Sequence, residues 1–311
     1  MQVKIKKGTC SYNIVLNSKN LCSIAGKLIE TARRKAMPYL VGQTAIKSRG
    51  IGIEPEDYRE YTHGDDFRFI DWRLSSRAIG SDGKQKFILR ERLAEKSLES
   101  FFILDASASM NYKEKLAAAI YAISFLSTLA LNLDDRITLV VAGNEKPLVL
   151  PHIDPGLAAY ATIAHICKGP GPGGKANLEV IKKIVLRLAR RRSPVILVTD
   201  MVHPPRELSN FLGAMRSVKN GVGIAFSSDR SEVSLPEMGS SLIMDPESGA
   251  SFMSLSWQEL PRELQLHRAM IGSVLRKWGI PSIELIGIKG AERSGPGLAW
   301  LYLSAREMAY A

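Results

Sequence analysis

A doubly wound α/β fold, with a mostly parallel sheet covered by helices on both faces, is the fold class this sequence predicts, and three observations carry the prediction. Phe101-Phe102-Ile103-Leu104 is apolar at four successive positions, a pattern that suits a strand buried on both faces. Short apolar runs recur at Ile137–Val141, Val195–Thr199 and Gly223–Phe226, and segments of helical periodicity separate them. Two of the runs stop at a carboxylate, Asp105 and Asp200, and the carboxyl ends of strands are where open α/β sheets bind ligands.

Taken in order, residues 1–17 alternate weakly through Val3, Ile5, Ile14 and Leu16, which suits a short hairpin or a loose arm. From Leu21 the positions Leu21, Ile24, Ala25, Leu28, Ile29 and Ala32 fall on one helical face, Arg33-Arg34-Lys35 occupy the last turn, and Pro38 is expected to end the helix. The strand ending at Asp105 precedes a helix from about Lys113 to Leu133. Its 18 uncharged residues from Leu116 sit at the lower limit for a membrane span, but Ser124, Ser127, Thr128 and Asn132 and the flanking strands assign it to the core. Strands at 137–141 and 148–150 follow, then helices at 156–166 and 178–192, a strand at 195–199, a helix at 206–219, and strands at 223–226 and 241–244. Trp257 to Trp278 reads as a C-terminal helix and Ile283–Ile288 as an edge strand. The expected division is an N-terminal helical and irregular extension over 1–98, the α/β domain over 99–288, and a tail over 289–311.

The formal charge of +11 is concentrated at the start: ten basic groups against the single acid Glu30 give the first 50 residues +9. The basic helix therefore either docks on an anionic surface (lipid, nucleic acid or partner) or packs on the domain with a solvated basic face. Aromatics interleaved with arginines between Tyr58 and Arg77 invite a nucleic-acid reading, but four arginines meet four acids there, so the segment suits internal ion pairing better than a basic groove. Cys10, Cys22 and Cys167 show no metal spacing and no even count, so free thiols in a reducing compartment are expected. The N-terminus does not resemble a signal peptide, and a cytoplasmic location is expected.

The chemistry concentrates at Asp105-x-Ser107-x-Ser109, where a turn leaving a strand points one carboxylate and two hydroxyls the same way. Asp200 would emerge at the same edge, and such an oxygen cluster suits Mg²⁺ or Mn²⁺ while leaving a coordination position for an acidic group from outside. The competing reading is that these residues only cap the following helix. Gly169–Ala176 has the spacing of a phosphate-binding loop, but Ala176 replaces the magnesium-binding hydroxyl and two prolines remove amides, so a loop over the sheet edge is expected. Asp105-x-Ser107 lacks the second aspartate of a phosphotransferase. The five histidines are scattered, and Cys167 has no evident activating partner.

Several of these stretches together resemble a known family. Ser48-Arg49-Gly50-x-Gly52-x-Glu54, Tyr58-Arg59-Glu60-Tyr61, Gly64-Asp65-Asp66-x-Arg68-x-Ile70-Asp71-Trp72, Ser75-x-Arg77, Arg90-Glu91-Arg92, Asp105-x-Ser107-x-Ser109-Met110 and Asp245-Pro246-Glu247-Ser248-Gly249 are similar to the DUF58 family of von Willebrand factor A-like proteins. The resemblance implies a six-strand doubly wound core and a metal-ion-dependent adhesion site, with Asp105, Ser107 and Ser109 in its first loop and Asp200 in its last. It also implies work as an adaptor beside a MoxR-type AAA+ ATPase in assembling or maturing other proteins. Many relatives carry transmembrane helices, which this sequence does not predict here. The middle loop departs from the family pattern: Gly173-Gly174-Lys175-Ala176-Asn177-Leu178 has no threonine, and Lys175 is a candidate to replace the metal or its threonine ligand.

The expected function is a non-enzymatic protein-interaction module. The alternatives are a metal-assisted phosphohydrolase or nucleotide hydrolase using Asp105 and Lys175, and nucleic-acid binding through the basic N-terminus.

Overall fold

The computed structural model describes residues 2–7, 10–12, 18–48, 56–62, 67, 70–78, 85–92, 97–143, 146–169, 171–189, 192–233, 241–244, 247, 251–254 and 259–310. The chain divides into two compact units, residues 1–40 with 98–311, and residues 41–97.

The larger unit is built on six strands: β5 (Glu99–Asp105), β6 (Arg136–Ala142), β7 (Leu148–Ile153), β8 (Pro194–Thr199), β9 (Gly221–Ser228) and β12 (Ser282–Ile286). Their order is β12-β9-β8-β5-β6-β7, parallel throughout except for β7, which runs antiparallel to β6. From β5 the chain builds outward one way through β6 and β7, then the other way through β8, β9 and β12. The change of direction falls beside β5 and β8, the position where open α/β sheets form their ligand crevice.

Alternate side chains of β5 enter two separate cores. Phe102 and Leu104 join one face with α3 (Lys115–Asn132), α4 (Pro155–Lys168) and α10 (Gly295–Tyr310). Phe101 and Ile103 join the other with α5 (Leu178–Leu188), α6 (Pro205–Ser217) and α8 (Glu259–Trp278). Burial on both faces explains why the strand is apolar at four successive positions, 101–104, and not at every second one. Although α3 is long and apolar enough to span a membrane, 89% of it is buried inside the protein.

The ends of the chain are part of this unit, which differs from the expected division at residues 98 and 289. Helix α1 (Ser18–Ser48) buries Leu21, Ala25, Leu28, Ile29, Ala32 and Ala36, whereas Ile24 is exposed. It also runs through Pro38, where a stop was expected; proline removes one hydrogen bond from a helix, and here the ladder resumes beyond it. Part of its basic face is used internally: Arg33 donates to the Gly156 carbonyl at 2.9 Å and stacks on Tyr160, and Lys35 pairs with Glu292 at 3.3 Å. Of the two readings for the N-terminus, a hairpin is present: β1 (Gln2–Lys7) and β2 (Cys10–Tyr12) pair and extend into a four-strand sheet, β11-β10-β1-β2, with β10 (Ser241–Met244) and β11 (Ser251–Ser254).

Beyond Ile288 the expected tail is helical. α9 (Gly287–Arg293) is followed by α10, whose Leu298, Leu301, Tyr302 and Ala305 are fully buried. A buried ion pair fixes α10: Arg306 meets both oxygens of Asp135 at 2.9 Å, and Tyr302 donates to the same carboxylate at 2.5 Å while its oxygen lies 2.9 Å from Ser100 Oγ. Burial and the Asp135 charge hold the Tyr302 phenol well above its ordinary pKa.

In the smaller unit β3 (Glu56–Glu60) pairs antiparallel with β4 (Ile88–Arg92), and Asp71 caps the short helix α2 (Trp72–Ser75) by accepting from Arg73 N and Leu74 N. Lys86 pairs with Glu60 at 2.8 Å, and Trp72 meets Phe87 edge to face. Of the family-like stretches, Arg49–Glu54, Gly64–Asp66 and Arg68 lie outside the described residues, as do Asp245, Pro246, Ser248 and Gly249.

Cys22 of α1 and Cys167 of α4 form a disulfide across 145 residues of sequence. This corrects the expectation of free thiols: spacing along the chain carries no pairing signal, and it is the packing of α1 and α4 that brings these two together. Peptide mapping under non-reducing conditions should recover the Cys22–Cys167 cross-linked pair. The double variant Cys22→Ser/Cys167→Ser should lose about 2–4 kcal/mol of stability in denaturant titration, the range usual for closing a long loop.

Candidate functional site

The carboxyl edge of the sheet at β5 and β8 carries the candidate site. β5 leads into a short 3-10 turn (Ala108–Asn111) that precedes α3. The loop containing Gly173 and Gly174 is laced to this turn by backbone hydrogen bonds: Gly173 N donates to Ala106 O at 2.9 Å and Ala108 N to Gly174 O at 3.1 Å. Gly171 and Gly174 have φ of +74° and +60°, a left-handed conformation that glycine adopts without steric cost. The expected loop over the sheet edge is present, and the Gly173 amide is spent on the protein itself.

Asp105 is buried at 1% exposure and all of its partners are internal. Its Oδ1 accepts from Ser107 N at 2.8 Å, and its Oδ2 accepts from Thr199 Oγ1 at 2.7 Å and lies 3.2 Å from His203 Nε2. Burial alone would raise its pKa, but the hydrogen bonds and charge of His203, with the Ser107 and Thr199 bonds, hold it below the ordinary carboxylate value. For His203 the balance is the mirror image. Burial would lower its pKa, and Asp105, Asp200 and Glu247 together raise it.

Asp200 follows β8, and its Oδ2 accepts from Lys115 Nζ at 2.7 Å. The same ammonium reaches Glu232 Oε1 at 3.0 Å and is 1% exposed. Burial would depress the Lys115 pKa, but the Asp200 and Glu232 charges overcome it and raise the value. The Asp200 Oδ1 accepts from Val202 N at 3.4 Å, shaping the turn that delivers His203 to Asp105.

Ser107 and Ser109 are buried with their hydroxyl oxygens 3.0 Å apart, and Ser109 donates to Glu247 Oε1 at 3.4 Å. Glu247 belongs to the connection between β10 and β11, so one carboxylate of the chain already faces the hydroxyl pair. Lys175 is exposed on the middle loop, whereas Ala176 beside it is buried in the core.

Three of the five residues singled out from sequence, Asp105, Ser107 and Ser109, thus lie in one hydrogen-bonded set, and Asp200 joins them through His203. The sequence reading missed Lys115, Thr199, His203, Glu232 and Glu247. A signal existed for Lys115 and His203: each sits within a few residues of a strand-end loop, and the first turn of a helix is an unfavourable place for a lysine.

The family resemblance implies a divalent ion at this edge, and the side chains do not fit one. Both aspartates that would offset its charge are already bonded to Lys115 and His203. Among the described residues there is no cluster of three or more histidine, cysteine, aspartate or glutamate side chains arranged to hold a metal.

The model of the family described as "Protein of unknown function DUF58" matches residues 57–263. The chain belongs to the DUF58 family. Curated relatives include "Uncharacterized protein Rv1480" of Mycobacterium tuberculosis and "Uncharacterized protein Mb1516" of Mycobacterium bovis. Each is 27% identical over 270 residues, covering 82% of this chain and 81% of the relative. Similar solved structures include BatB from Bacteroides thetaiotaomicron (13% identity, TM-score 0.42, 69% of this chain and 100% of that one). The SpRpn10 VWA domain is another (12% identity, TM-score 0.39, 65% and 97%). Manganese-loaded TRAP protein of Plasmodium vivax is a third (17% identity, TM-score 0.34, 43% and 58%). The strand order and the antiparallel β7 of this DUF58 protein establish the α/β fold directly.

A second cluster clamps α7 (Arg230–Val233) to the start of α3. Lys113 donates to Asp229 Oδ1 at 3.1 Å and to Ser231 Oγ at 2.7 Å. Burial alone would raise the Asp229 pKa, and bonds from Ser231 and Lys113 lower it below the ordinary 3.8. A lowered carboxylate contributes stability above its unfolded-state value and loses it as pH falls through the folded value. Asp229→Asn should therefore cost about 1–3 kcal/mol near neutrality. The cost should shrink when unfolding is measured below pH 3.8, because there the wild type loses the same contribution.

Proposed function

We infer that this DUF58 protein is a non-enzymatic protein-interaction module that docks an acidic side chain of a partner at the Ser107/Ser109 edge. The observation that carries the reading is the Ser109–Glu247 contact: the hydroxyl pair already receives a carboxylate, supplied by the chain itself. The proposed partner is a MoxR-type AAA+ ATPase or its client, on the strength of the family resemblance, with the chain acting as an adaptor in assembly or maturation. The Mg²⁺ or Mn²⁺ that the resemblance implies has no part in this reading, because Asp105 and Asp200 already have internal partners in His203 and Lys115.

Two details argue against catalysis. Thr199, His203 and Asp105 resemble a nucleophile, base and orienting acid only in composition. A working relay places acid and nucleophile on opposite ring nitrogens, whereas here the same Nε2 faces both Asp105 Oδ2 and Thr199 Oγ1. The single hydroxyl hydrogen of Thr199 goes to Asp105, and Thr199 is fully buried. Nucleotide hydrolysis through the glycine loop is opposed by the Gly173 amide, which bonds Ala106 and not a phosphate.

Binding of a purified MoxR-type ATPase from the same organism, followed by biolayer interferometry, tests the reading. Wild type should bind, and Ser107→Ala/Ser109→Ala should weaken binding by about tenfold or more, the loss of one to two good hydrogen bonds. Absence of binding by wild type to the ATPase and to client proteins captured with it, or equal binding by the variant, would remove the proposal. A phosphate-release screen over nucleotides and phosphomonoesters should stay at background, and activity lost in Asp105→Asn would make the chain an enzyme.

A further inference from the structure

We propose that Lys115 takes the place of a divalent ion at this edge: its ammonium, set between Asp200 and Glu232, compensates the site from within and keeps it metal-free. The proposal goes beyond the docking reading and stands on different side chains.

A lysine at 1% exposure is rare, because its desolvation is offset only by close opposite charges. Lys115 has two, at 2.7 and 3.0 Å. Its position works against the local structure. It is the first residue of α3, where the helix dipole disfavours a cation, and it follows Lys113, held at φ +46°. Nothing in the helix itself favours this placement; the carboxylates do. The Lys115 backbone is also fixed, its carbonyl accepting from Ser227 Oγ of β9 at 2.7 Å.

A divalent ion in such a site has two tasks, neutralising the strand-end acids and holding them in place. Lys115 performs both for Asp200, whose other oxygen shapes the turn to His203, which in turn meets Asp105. Lys115 is thus a positioning residue for the whole edge. A second cation beside it would face like-charge repulsion in a region of low dielectric.

The test is titration with Mn²⁺, read from the electron paramagnetic resonance signal of the free ion, alongside thermal unfolding in Mg²⁺ and in EDTA. Wild type and Lys115→Arg should take up no Mn²⁺ at millimolar ion, and the wild-type Tm should be equal in Mg²⁺ and EDTA. Lys115→Met leaves Asp200 and Glu232 without a cation; it should unfold at a lower temperature, take up Mn²⁺, and regain part of the lost Tm when Mn²⁺ is present. Stoichiometric Mn²⁺ uptake by wild type, or a wild-type Tm lowered by EDTA, overturns the proposal, and so does a folded Lys115→Met that ignores Mn²⁺. The wild-type arms decide the question even if Lys115→Met does not fold. Loss of partner binding, by contrast, would bear only on the docking reading.

Discussion

Asp105 and Asp200 end apolar runs buried in the sheet, and a carboxylate in that position cannot stay ionised unless a cation or several donors meet it. The rest of the edge follows from that constraint. Lys115 is drawn to Asp200, which sets the turn through Val202; the turn delivers His203, and His203 with Thr199 completes the shell around Asp105. The loops are therefore not independent supports for a ligand. They are tied together by compensated charges, and the backbone bonds between Ala106, Ala108, Gly173 and Gly174 make the same connection in the main chain.

The fold was legible because its signals are local and repeated. Four consecutive apolar residues at 101–104, recurring apolar runs and intervening helical periodicity each point to a sheet buried on both faces, and the two cores on either side of β5 are the physical reason. Where reading failed, the deciding interaction was long-range. Pro38 and the C-terminal segment read as stops and loose ends, but α1 continues past the proline, and the Asp135–Arg306 pair, 171 residues apart, anchors α10. The Cys22–Cys167 bond is of the same kind. At the site, Asp105, Ser107, Ser109 and Asp200 could be found because strand ends announce themselves. The cation was marked only weakly: Lys175 has the suggestive position in the glycine loop and is exposed, whereas Lys115 stands out in the sequence only by its place in a first helical turn, and it is the fold that sets it 2.7 Å from Asp200.

The edge holds two sets of groups with different chemistry. One, Asp105 with His203 and Asp200 with Lys115, is paired internally, so its electrostatic energy is committed to holding the loops. The other, just as buried, is the uncharged Ser107–Ser109 hydroxyl pair, with Glu247 as its carboxylate partner. A neutral hydroxyl pair binds a carboxylate less strongly than a metal ion would, since it offers hydrogen bonds without formal charge. Any carboxylate that displaced Glu247 there would exchange one set of neutral hydrogen bonds for another, so the pair can discriminate between acidic side chains only by geometry and not by added charge.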